Sequence, residues 1–68
     1  MTKNKMFNNK NLTMVKNQML NCYPWWELHE VRIFPSGEVN LYYKHEHATL
    51  VLFFDEKHKC RDTVYMNF

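Results

Sequence analysis

Two short clusters in this chain hold the residue types that bind metals, His45-Glu46-His47 and His58-Lys59-Cys60. Imidazole nitrogen and thiolate are the usual ligands of zinc, which draws four of them to within about 2.0–2.3 Å. The strand pattern described below puts the two clusters in consecutive turns, at opposite ends of one strand. Seven residues rising about 3.3 Å each separate them by roughly 20 Å. They cannot share an ion, and the reading is surface histidines with no metal site. Cys22 and Cys60 could bridge only with Cα atoms within about 7 Å. Cys22 precedes the first strand of the pattern and Cys60 opens the last, so both are expected as free thiols. Cys22 with His29 is a nucleophile and base by residue type alone. The lone serine, Ser36, falls in a turn, and a single glycine leaves no Gly-rich phosphate loop. Glu27 with Glu30, and Asp55 with Glu56, read as solvated charges. The chain is expected to be no enzyme and to use no cofactor.

The elements that would position any site follow from composition and pattern. At 68 residues the chain is one domain, near the lower limit for a core without staples. Hydrophobic residues at 46% and aromatics at 16% exclude disorder, since aromatics bury much area in a small core. The net charge of +2 is too small to argue for nucleic acid by itself. It is unevenly spread: Lys3, Lys5, Lys10 and Lys16 with no acid before residue 25, then more acids than bases. Eight Asn and seven Lys, against one Gly, one Ala and one Ser, fit AT-rich coding of the kind found in low-GC bacteria and their phages. No signal-peptide pattern is seen, and the longest apolar run, Leu50 to Phe54, is too short to span a membrane. A cytoplasmic protein with reduced cysteines is expected.

Residues 1–8 are polar and without period, and read as a flexible N-terminal tail. Residues 9–68 read as a single α+β domain: a helix over 9–21 and a sheet over 25–68. Leu12, Val15 and Met19 share one helical face, Asn9 or Asn11 can cap its start, and Asn21 with Pro24 fits its end. Phe34-Pro35-Ser36-Gly37 has the signature of a type I turn followed by a left-handed glycine. It pairs Phe34 with Glu38, and then Ile33 with Val39, Val31 with Leu41 and His29 with Tyr43 on one face. A turn at His45-Glu46 would set Leu41 opposite Leu50. A charged turn at Asp55–Lys59 leads to a last strand, Cys60–Phe68. The expected fold is a short N-terminal helix packed on a four-stranded antiparallel β-meander. The expected core is Val31, Ile33, Val39, Leu41, Leu50 and Leu52 under the helix, with Val64, Met66 and Phe68 from the last strand.

That register leaves a second face with Trp26, Arg32, Tyr42, Phe53 and Tyr65, which a single helix cannot also cover. Tyr, Trp and Arg are favoured at the centres of protein interfaces. The face therefore reads as a contact for a protein partner, a second copy, or both. The alternative is a sheet that stacks single-stranded nucleic acid on the same aromatics, with Lys44, Arg61, Lys3, Lys5 and Lys10 at phosphates. Nothing indicates a small-molecule substrate or a membrane. In size, Asn/Lys bias and lack of catalytic residues the chain resembles small phage accessory proteins as a class. That resemblance implies an inhibitor or modulator that blocks a host protein sterically.

Overall fold

The computed structural model describes residues 2–4, in backbone only, and residues 6–67. In chain order the elements are β1 (Thr2–Asn4), α1 (Leu12–Cys22), β2 (Glu27–Ile33), β3 (Val39–His45), β4 (Ala48–Phe54) and β5 (Cys60–Asn67). The fold is α+β, with α1 packed on an antiparallel meander of β2 to β5. β1 adds a short strand beside β5, giving the spatial order β1-β5-β4-β3-β2.

The first hairpin forms as its turn residues dictate. Gly37 sits in the left-handed region at φ 94°, where a Cβ is disfavoured. Its N–H donates to the Phe34 carbonyl at 2.9 Å, and the Phe34 N–H donates to the Glu38 carbonyl at 2.9 Å. Ile33 then faces Val39 and Val31 faces Leu41. The second hairpin turns at Glu46-His47, with Glu46 left-handed at φ 55°, and pairs Leu41 with Leu52 rather than Leu50. This slip is two residues, so every side chain keeps its face. In the third turn the Asp55 carboxylate accepts from the Lys57 and Lys59 amides, both at 2.9 Å, through one oxygen. The other oxygen accepts from Arg61 Nε at 2.6 Å.

Asn11 caps the helix, its side chain accepting from the Thr13 amide at 2.9 Å. Val15 and Met19 are buried and Leu12 half-buried, the face the spacing predicts. They pack with Val39, Leu41, Leu50, Leu52 and Phe54.

Three expectations are corrected. The N-terminal segment is not a free tail. Thr2–Asn4 pair with Thr63–Tyr65, and Phe7 is fully buried in the core. The chain between Phe7 and α1 is tied to β5, with Asn9 N–H to Cys60 C=O at 2.7 Å and Cys60 N–H to Lys10 C=O at 2.8 Å. Secondly, Val31 and Ile33 lie on the helix face yet are 46% and 72% exposed, because α1 covers the strands beside β2 and leaves β2 bare. Thirdly, β5 is turned over. Cys60 faces Phe54, but Asp62 faces Phe53, so Arg61 is an extra residue in the ladder. This bulge moves Thr63 and Tyr65 onto the helix face and Val64 and Met66 onto the other. Thr63 and Cys60 are buried, their side chains 3.9 Å apart. Phe68 lies outside the described residues.

Candidate protein-binding surface

A second bulge decides where Trp26 points. Glu30 faces Tyr42, but Leu28 faces Tyr43, so His29 is the unpaired extra residue and does not face Tyr43. Leu28 therefore stands on the helix face, and Trp26 packs there against the core. The Trp26 ring meets Tyr65 edge-on at 6.1 Å and His45 at 6.0 Å.

The five residues predicted to share a partner-binding face thus divide. Arg32, Tyr42 and Phe53 lie together on the face away from α1. Trp26 and Tyr65 lie on the opposite side as half-buried packing residues. Two one-residue bulges are the physical cause, since each reverses the alternation beyond it. On the open face the Arg32 guanidinium sits 5.2 Å over the Tyr42 ring. It also donates to Glu30 through Nε at 3.1 Å and a terminal nitrogen at 2.9 Å. Val51 lies between Tyr42 and Val64 in the row and is only 3% exposed.

The cations proposed for phosphate contact are dispersed. Arg61 is bonded to Asp55 beside the third turn. Lys44 is exposed at the far end of β3, and Lys10 sits in the segment leading to α1. Lys5, and the side chain of Lys3, lie outside the described residues. Among the described residues no group of three or more His, Cys, Asp or Glu side chains could hold a metal ion. Cys22 is exposed and Cys60 buried, both as free thiols, and burial pushes the Cys60 thiol pKa up. No described helix is long and apolar enough to cross a membrane.

Among the described residues β2 is an unpartnered edge of the sheet. All seven of its residues are exposed. On the helix side it carries Leu28, Val31 and Ile33, with Leu20 of α1 across a shallow cleft. The cleft measures about 240 Å³ and is lined by Lys16, Asn17, Leu20, Trp26, Leu28 and Tyr43. The outer backbone of β2 follows from the hairpin. Phe34 is bonded to Glu38, so in an antiparallel ladder Arg32 and Glu30 also bond inward to β3. Val31 and Ile33 then direct their N–H and C=O groups outward, at the sheet's edge. The other edge is β1, a strand of three residues, and a very short edge strand is one way native sheets blunt an edge. β2 is seven residues long with no Pro, and among the described residues no element covers it, though Glu27, Glu30 and Arg32 charge it. Sequence reasoning assigned Val31 and Ile33 to the core and so did not foresee the apolar strip along this edge. The available signal was width: a helix with its side chains is about 10–12 Å across, while four strands spaced about 4.8 Å put the outer two about 14 Å apart, more than one helix covers.

Comparison with known proteins returns no match to any family model, any curated protein or any solved structure.

Proposed function

We propose that this chain is a small, non-enzymatic protein-binding module that works in the cytoplasm by steric occlusion. It would be an inhibitor or modulator of the kind carried by phages and other mobile elements. The observation that carries the reading is β2, an edge strand exposed along its whole length with an apolar strip on one side. A partner strand added there gains backbone hydrogen bonds for affinity. Side chains on the two flanks supply selectivity: Leu28, Val31 and Ile33 on the helix side, Arg32 and Tyr42 on the other. Phe53 extends the second flank, while Trp26 and Tyr65 support the first from beneath.

The single-stranded nucleic-acid alternative draws less support. Arg32 and Arg61 are already engaged by Glu30 and Asp55. The test is a comparison of tagged wild-type protein with Val31→Pro and with Tyr42→Ser/Phe53→Ser in affinity capture from a bacterial lysate. The reading expects one captured protein that Val31→Pro loses. Oligonucleotide binding that falls steeply between low and moderate salt, with nothing lost on Val31→Pro, would replace it.

A further inference from the structure

The charge pattern of β2 names an occupant for its own edge. We infer that β2 pairs with β2 of a second copy, antiparallel about a two-fold axis at Val31, joining two sheets into one. This rests on the reading of β2 as the binding edge and deepens it.

The outward-facing residues of the strand fix which registers are possible. Only residues whose backbone groups point outward can form hydrogen-bonded pairs across the new edge. Val31 and Ile33 are such residues, so the axis passes through one residue of the strand, not between two. An axis at Glu30 sets Glu30 against Glu30 of the copy. An axis at Arg32 sets Arg32 against its own equivalent. An axis at Ile33 brings Val31 opposite Pro35, which has no N–H to give. An axis at Val31 avoids all three. It lets the two Val31 residues exchange N–H and C=O bonds. It also sets Glu30 of each copy opposite Arg32 of the other, in the closely spaced, non-bonded type of pair.

In the single chain Glu30 and Arg32 already share a face and an ion pair, both about half exposed. The two-fold arrangement makes a ring of two carboxylates and two guanidiniums, with every unlike charge adjacent. Opposite charges directly across strands are favourable and like charges unfavourable. On the other side the exposed strips of Val31 and Ile33 become continuous across the axis. The helix does not obstruct this approach, since α1 leaves β2 uncovered in each copy. Symmetric pairing of one patch with itself is the commonest route to an oligomer.

The test exchanges charges and watches mass in solution, by sedimentation and native mass spectrometry. The wild-type chain is expected to be a dimer. Glu30→Arg alone puts Arg against Arg at both symmetric sites, and Arg32→Glu puts Glu against Glu. Each is expected to weaken the dimer about tenfold or more. The mixture of these two variants restores an unlike pair at both sites. It should therefore form a heterodimer tighter than either variant forms alone, an outcome no folding defect produces. Val31→Pro removes an outward N–H without touching the ladder to β3, and is expected to be a folded monomer. A dimer that Val31→Pro leaves intact, or charge variants that gain nothing on mixing, overturns the inference. A wild-type chain that stays monomeric at high concentration also overturns it. In that case the binding-module reading is judged separately, by whether Val31→Pro loses a captured protein.

Discussion

Trp26 stands edge-on to Tyr65, their ring centroids 6.1 Å apart and their planes at 88°. The residues belong to opposite ends of the sequence of strands, and each reaches this face through a bulge in or beside its own strand. The contact closes the top of the core where α1 hands over to β2. Trp26→Ala should cost about 2–3 kcal/mol, less than a fully buried Trp because one side of the ring is open. A double-mutant cycle with Tyr65→Phe and Tyr65→Ala should show coupling of about 0.5–1.5 kcal/mol. Trp26 on a solvated partner-binding face would instead give a melt close to the parent's.

A pair of substitutions separates the observed core from the alternation-based one. Phe7→Ala should destabilise by about 3–5 kcal/mol, since the ring is fully buried. Ile33→Ala should cost under about 1 kcal/mol, because Ile33 is 72% exposed. Denaturant midpoints of the two variants check this. Equal losses would mean that α1 covers β2 after all.

The meander, the first turn and the helix were legible because turn chemistry and hydrophobic alternation agreed. Gly37 fixed one register, and Val39, Leu41, Leu50 and Leu52 fixed the inner face of the central strands. What was not legible has three physical causes. A bulge leaves no mark in composition, so His29 and Arg61 gave no warning that Trp26 and Tyr65 would change sides. A lone Phe7 among Asn and Lys has no periodicity to report its burial. Coverage by the helix is a matter of where α1 crosses the sheet, which local pattern does not contain. Hence of the five predicted contact residues three remain together, Arg32, Tyr42 and Phe53, and the apolar strip on the edge beside them was assigned to the core.

The thiols should differ in reactivity. Cys22 is exposed and Cys60 is 1% exposed with its pKa raised by burial. Only the thiolate is nucleophilic. Under native conditions at pH 8, iodoacetamide should modify Cys22 and spare Cys60, and both should react in denaturant. Peptide mapping reads the outcome, and equal native rates would contradict the burial of Cys60 beside Thr63.

Acid should act partly through the third turn. The Lys59 amide chiefly, with Arg61 and the Lys57 amide, holds the Asp55 carboxyl below its ordinary pKa, against the opposing push of partial burial. A carboxylate whose folded pKa is depressed stabilises the fold above its unfolded pKa. That contribution is lost as pH falls through the folded value. Asp55→Asn should therefore be less stable than wild type at neutral pH. The gap should close as pH drops below the usual carboxylate range of about 4. Thermal melts from pH 7 to pH 2 measure it, and a gap that widens on acidification would contradict the assignment.

Binding through the edge of β2 can be read residue by residue from amide hydrogen exchange. In dilute solution the outward amides of Val31 and Ile33 should exchange fast, while those of Glu30 and Arg32, bonded to β3, are protected. Raising the concentration, or adding the captured partner, should slow Val31 and leave the amides of β4 unchanged. If Val31 stays unprotected while the protein demonstrably associates, β2 is not the interface.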